Sequence, residues 1–296
     1  MQERSILFRR ITDWTVRIVS AVSAFAGIVF LVLILFEVVR RGFPAFDIDF
    51  FTKRTGPFSV PATGMANAII GTVYMTVLAT ILGVPIGLLA GIYLSEFGKD
   101  SAISTAIRFV SNILMGTPSI LIGVFVYAMI VAPGRHMSGY AGGVALAVIM
   151  LPIVARTTED MLNLVPNELR EAALALGAPR WKAVLSVVFR AAQAGLVTGV
   201  LLAIARVSGE TAPLLFTASN NNHFIWFSDS GIGRYFYDLN QPTPNLTVTI
   251  YQYAMSPYEK WKEQAWGASL LITATVLVLS VVARAIFAGK RPARGR

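Results

Sequence analysis

Apolar residues in this chain fall into six long runs, each bounded by charged, glycine or proline residues. The runs cover about 18–36, 66–94, 109–131, 139–155, 191–216 and 265–283. A helix of about 20 apolar residues crosses the hydrocarbon of a bilayer. The pattern therefore predicts an all-α, polytopic integral membrane protein with six transmembrane helices. The first run follows Arg4, Arg9, Arg10 and Arg17. It is too long for a signal-peptide core, and no small-residue cleavage site follows, so it is expected to remain as an anchor.

The second run carries small residues every four positions, at Ala79, Gly83, Gly87, Gly91 and Ser95. On a helix these line one face. In lipid such a face lets two backbones approach closely, either inside the subunit or across a dimer. Pro85 within it removes a backbone hydrogen bond and is expected to bend the helix. The stretch Met115-Gly116-Thr117-Pro118-Ser119 predicts a second break, which either lines a cavity or is a structural kink.

Between the fourth and fifth runs lies a structured connection, 156–190. Pro166 suits a first helical turn, and Glu168 and Glu171 suit its dipole. Leu169, Ala173 and Leu176 then form an apolar stripe, ended by Gly177 and Pro179. A second helix starts near Arg180 and Trp181 and runs into the fifth span. This helix-turn-helix should present an apolar face, to a protein groove or to the membrane surface. In the 217–264 connection, Asn220, Asn221 and Asn222 come first. Leu246, Val248 and Ile250 then alternate with Thr247 and Thr249, which predicts a short strand or extended segment. Trp261 and Trp266 read as interfacial anchors. Asn245-Leu-Thr247 matches a glycosylation sequon, and chance explains it.

Composition agrees with the membrane reading: 55% of the 296 residues are hydrophobic and 14% charged. The net charge of +9 is spread between apolar runs rather than gathered on one polar surface, which argues against nucleic acid. Lysine and arginine are about twice as frequent in the N-terminal segment, alternate loops and C-terminal tail as on the opposite side, so both termini are expected in the cytoplasm. There is no cysteine, which excludes disulfides and thiolate chemistry. His136 and His223 are too far apart in sequence to suggest a metal cluster, and none is expected.

The fifth run contains Arg206 and Glu210, four residues apart. On a continuous helix both would project from one face. Charges at membrane depth cost about 2.5–3.5 kcal/mol each on insertion scales and normally face a partner or a polar pathway. A guanidinium offers a planar fork of donors to two oxygens of an oxyanion. Glu210 could latch Arg206, accept a proton or serve packing. Ser208, Thr211 and Thr217 could add hydrogen bonds or bond their own backbone.

Glu171-Ala172-Ala173 with Gly177 resembles the EAA signature of binding-protein-dependent ABC importer permeases. The run Leu151-Pro152-Ile153-Val154-Ala155-Arg156-Thr157-Thr158-Glu159, then Leu164-Val165-Pro166, and ARVSGETAPLLFTA from Ala205 to Ala218 are similar to the PstA-type permeases of phosphate importers. So are Gly91-Ile92-Tyr93-Leu94-Ser95-Glu96 and Ala254-Met255-Ser256-Pro257. The resemblance spans roughly Gly64 to the last helix. It implies a MetI-like ABC permease architecture with an N-terminal segment, first helix and outer loop in 1–64, a permease domain in 65–288 and a basic tail in 289–296. Residues 156–190 would couple to an ATPase, through Glu171, Ala172, Ala173, Gly177, Leu169 and Leu176. Arg206 would serve phosphate movement, with Glu210, Ser208 and Thr211 along the path.

The implied partners are a homologous PstC-type permease, a PstB-type ATPase dimer, a PstS-type external binding protein and membrane lipid. This chain departs from the family pattern at Phe189-Arg190, where a leucine-proline pair is usual, so the coupling helix is expected to join the fifth span more continuously. No phosphate-binding ATPase loop is present: Gly98-Lys99 is followed by Asp100 and Gly289-Lys290 by Arg291. No cofactor is expected in this chain, ATP and Mg belonging to the partner ATPase. Import of molybdate or sulfate, a passive anion channel, or an intramembrane enzyme using Glu210 are the alternatives. The channel leaves the EAA loop without a purpose, and the enzyme lacks a second catalytic group at depth.

Overall fold

The computed structural model describes residues 6–56, 64–98, 101–221 and 239–288. Arg4, Lys99, His223, Arg234, the 289–296 tail and parts of the 1–64 and 217–264 segments lie outside it. Besides a 3-10 turn at Phe43–Ala45, the described residues form eleven helices: α1 (Ile6–Gly42), α2 (Ile48–Thr52), α3 (Ala66–Phe97), α4 (Ala102–Gly116), α5 (Ser119–Gly134), α6 (Gly139–Asn163), α7 (Asn167–Ala175), α8 (Arg180–Ser208), α9 (Ala212–Thr217), α10 (Leu246–Ala254) and α11 (Glu259–Ala288). Helices α1, α3, α6, α8 and α11 are each long and apolar enough to cross a membrane. The pair α4 and α5 makes a sixth span only as a bent unit, turning through 106°.

Local chemistry sets the helix ends. Ser101, Ser138 and Asn245 cap α4, α6 and α10 by accepting the amide three residues on. Pro118, Pro166 and Pro179 stand directly before α5, α7 and α8. At the bend, Thr117 and Pro118 are extended, with ψ near 130° (132° and 131°). A proline pushes its predecessor out of the helical region in this way.

The small-residue stripe is a contact inside the subunit. Ala79, Gly83, Gly87 and Gly91 are buried, and the three glycines meet α6. A Cβ on Gly87 would stand 2.8 Å from that of Val154, and one on Gly91 would stand 2.6 Å from the Ala155 carbonyl oxygen. Ser95 completes the register, its Oγ donating to Asn163 Oδ1 at 2.9 Å. Helix α3 runs unbroken through Pro85, so no interruption follows the proline. Gly91→Ala should lower the thermal stability of the detergent-solubilised protein by about 1–3 kcal/mol, the usual cost of overpacking. Gly27→Ala, on open space in α1, should not; equal midpoints for the two would refute the tight contact.

A central core of Met75, Leu146, Met150, Val207, Leu214 and Val248 joins α3, α6, α8, α9 and α10. At one end, Phe50, Met65, Tyr253 and Trp261 form a second core under α11. Here two expectations fail. The 246–250 segment is helix α10 rather than a strand, because Leu246, Thr247, Val248 and Thr249 are all buried, so its two-residue alternation marks no solvent face. Trp261 is only 2% exposed and stacks on Tyr253 at 4.6 Å, a core side chain instead of an interfacial one. Burial pushes the Tyr253 phenol up to about 12. Asn245 is fully buried as a helix cap, which rules out glycosylation there in the folded chain.

Candidate functional site

Two helix breaks meet in the middle of the bundle. The first is the Thr117-Pro118 bend. The second ends α8 at Ser208, so the 191–216 run is not one helix. Pro213 explains this physically: in a continuous helix its amide would donate to Gly209, and proline has no N–H and crowds that carbonyl. Gly209 caps α8 and Thr211 caps α9. Helix α5 crosses α9 at backbone distance, a Cβ on Gly123 falling 2.5 Å from Pro213 Cα. Gly209 followed four residues later by Pro213 was the available sequence signal, masked by the apolar residues on either side.

The breaks enclose a cavity of about 460 Å3. Leu114, Met115, Thr117, Pro118 and Ser119 supply one wall, Ile122, Ile149 and Ile153 the floor, and Arg206 and Glu210 the charge. Arg206 lies in the last turn of α8 and Glu210 in the break, so the expectation of two side chains on one continuous helical face is corrected. They are still near each other, with Arg206 Nη2 4.0 Å from Glu210 Oε1. That is too long for a hydrogen bond. The Arg206 side chain is 64% exposed and that of Glu210 17%, so the pair contributes little to stability. Among the described residues nothing hydrogen-bonds the Arg206 guanidinium, whose donor fork remains uncommitted.

The hydroxyls divide. Ser208 Oγ donates to the Ala205 carbonyl at 2.8 Å and lines a separate apolar groove with Thr72, Thr76 and Leu271. Neither Ser208 nor Thr211 is among the residues that line the Arg206 cavity. Thr217 likewise donates to its own helix, at Pro213. Thr211 stands in the break beside Glu210, its carbonyl accepting from Leu214 and Leu215.

At the opposite end from Trp261, α7 and the start of α8 form the helix-turn-helix read from sequence. Gly177 has φ +79°. Its amide donates to the Leu174 carbonyl at 2.9 Å and that of Ala178 to Ala173 at 3.2 Å, the paired bonds of a Schellman turn. Glu171, Ala172, Leu169 and Leu176 are exposed, Leu176 at 89%. Ala173 faces inward, which narrows the expected apolar stripe; exposed Leu174 and Trp181 extend it instead. Helix α8 runs from Arg180 through Phe189-Arg190 to Ser208 with no break in the chain's helical path, widening to a π-helical turn at Val184–Val188.

Sequence reasoning missed the buried ionic anchor under α7. Arg170 Nη2 donates to Glu96 Oε1 at 2.6 Å and its Nε to Oε2 at 3.1 Å. The same guanidinium caps the end of α6 through the Leu162 and Val165 carbonyls, at 2.8 and 2.5 Å. Arg180 donates to the Glu96 carbonyl. A second buried carboxylate, Glu159, accepts from Arg108 Nε at 2.8 Å. These contacts tie α3, α4, α6, α7 and α8 at one end. The signal was an acid, Glu96, standing directly at the end of an apolar run.

The chain resembles known proteins along nearly its whole length. The sequence model of the family described as binding-protein-dependent transport system inner membrane component matches residues 83–289. The phosphate transport system permease protein PstA of Pasteurella multocida (strain Pm70) is 44% identical over 282 residues, covering 95% of this chain and 96% of that one. The protein of the same name from Haemophilus influenzae (strain ATCC 51907 / DSM 11121 / KW20 / Rd) is 46% identical over 272 residues, 92% of each. Among solved structures, an inward-facing MetNI methionine ABC transporter chain superposes with a TM-score of 0.60 at 22% identity, over 76% of this chain and 95% of that one. That similarity concerns the fold.

Proposed function

The chain belongs to the family of binding-protein-dependent transport system inner membrane components, and from that premise we propose that it is the permease subunit of an ATP-driven importer of inorganic phosphate. The observation that carries the reading is the uncommitted Arg206 fork beside Glu210 in a cavity made by two broken helices. Discontinuous helices near the middle of a bundle are how transporters expose polar groups to a substrate without leaving backbone unsatisfied in lipid. A cavity of about 460 Å3 admits a hydrated oxyanion, and the near full-length likeness to phosphate permeases supports phosphate as that anion.

The open side of Arg206 suits closure by a homologous permease, the two subunits forming one path. Arg206 would bind phosphate through paired N–H···O bonds. Glu210, partly buried 4.0 Å away, would draw the guanidinium back when the anion leaves. Thr211 lies where it can follow the same movement, while Ser208 has no part in the path. Helix α7 would seat in an ATPase partner by its exposed Leu169, Leu174 and Leu176, with Glu171 and Ala172 on the accessible side. Because α8 is continuous from Arg180 to Ser208, a displacement of that seat would reach Arg206 directly. ATP and Mg would be held by the ATPase, phosphate would arrive from an external binding protein, and both termini would lie in the cytoplasm.

Reconstitution tests the reading. Phosphate uptake into proteoliposomes should require the permease pair, the ATPase, the binding protein and ATP together, with sulfate and molybdate failing to compete. Uptake without ATP would indicate a channel instead. The coupling turn has its own test. Gly177→Val forces a β-branched residue into left-handed backbone, at about 1–2 kcal/mol, and should reduce ATPase retention in affinity-purified complexes. Gly177→Asn, which tolerates that conformation, should keep it. Equal retention by both would contradict the turn's role.

A further inference from the structure

The break at Gly209 creates a problem for the backbone that a residue far along the chain solves. In an unbroken helix the Glu210 carbonyl would accept from Leu214; here the Leu214 amide donates to Thr211 instead, at 3.1 Å. An unpaired carbonyl inside the bundle costs about 1–3 kcal/mol. Thr247 supplies the missing donor, its Oγ1 standing 2.9 Å from the Glu210 oxygen. Its side chain belongs to α10 and the residue is only 6% exposed. Asn245 Oδ1 lies 3.0 Å from the same hydroxyl but already accepts the Val248 amide at 2.8 Å. The single hydroxyl proton is thus needed at Glu210.

Helix α10 is itself held on both sides. Its first amide, at Leu246, donates to Thr72 Oγ1 of α3 at 2.8 Å, and the preceding strand of chain donates from Thr243 to the Ala218 carbonyl at 3.0 Å. At its far end Tyr253 stacks on Trp261. One short helix therefore connects the Trp261 end of the molecule to the backbone of the substrate break. We infer that Thr247 is a positioning residue that holds the 209–211 break, and through it Glu210 and Arg206, in the arrangement that takes up phosphate. The inference rests on the proposed role of that break and assigns its control to α10.

The test uses the complete complex in proteoliposomes, measuring phosphate taken up per ATP hydrolysed. This ratio is insensitive to how many complexes assemble. Thr247→Val keeps the shape and removes the donor, and should lower the ratio about tenfold, as loss of one buried bond implies. Thr247→Ser keeps the donor and should stay within about twofold, less than half a kcal/mol. An unchanged ratio in Thr247→Val, or an equal fall in both variants, would overturn the inference. Arg206→Ala run alongside separates the two claims. Normal uptake by that variant would remove the parent reading, whereas its loss together with a normal Thr247→Val ratio would remove only this one.

Discussion

Arg206→Ala should abolish phosphate uptake in complexes that assemble normally, and Arg206→Lys should lower it by about 10- to 100-fold. The estimate follows from the charge-assisted bonds at stake, each worth about 1.5–3 kcal/mol. Lysine keeps the positive charge but offers a point donor in place of a planar fork, so it cannot hold two phosphate oxygens at once. The variant should assemble, because among the described residues nothing hydrogen-bonds the Arg206 guanidinium and its side chain is 64% exposed. Complex yield and melting midpoint should therefore match the parent while uptake falls. Wild-type uptake by Arg206→Ala would end the substrate role of this cavity.

The second large effect concerns stability and assembly. Arg170→Ala leaves the Glu96 carboxylate, 5% exposed, without its cation and strips two carbonyls at the end of α6 of their donor. Removing one partner of a buried pair costs about 3–5 kcal/mol, so the variant should lose most of its assembled complex. Glu96→Ala should be milder, since Arg170 still donates to Leu162 and Val165. The double variant should cost less than the sum, by about 1.5 kcal/mol or more in a double-mutant cycle on melting. Strict additivity would mean that the pair is incidental to the junction of α7 with α3 and α6.

The membrane-spanning pattern was legible because apolar length alone decides whether a helix can cross a bilayer. The turn between α7 and α8 was legible too: Gly177 and Pro179 act through local backbone geometry, and the turn they predict is the one found. The Glu96–Arg170 pair was not, because its partners are 74 residues apart and no local pattern links them. The 246–250 alternation misled for a related reason. A two-residue period signals a strand when one face meets solvent, and residues 246–249, all buried, have no such face.

Residues 203–217 show the same division within one stretch. Their composition was enough to place an arginine and a glutamate within an apolar run and to single them out by cost alone; such charges are expensive in a membrane wherever they point. Whether they shared a helix depended on Pro213 and Gly209 outweighing the apolar run around them. Which side chains met them depended on α5, folded back through 106° at Pro118. What satisfied the broken backbone depended on Thr247, 37 residues further on. Sequence by itself determined which segments enter the membrane and which local turns end them, since those follow from residue type and neighbours. Only the tertiary structure decided the site, because a cavity and a carbonyl's partner are relations between segments that meet only once the chain has packed.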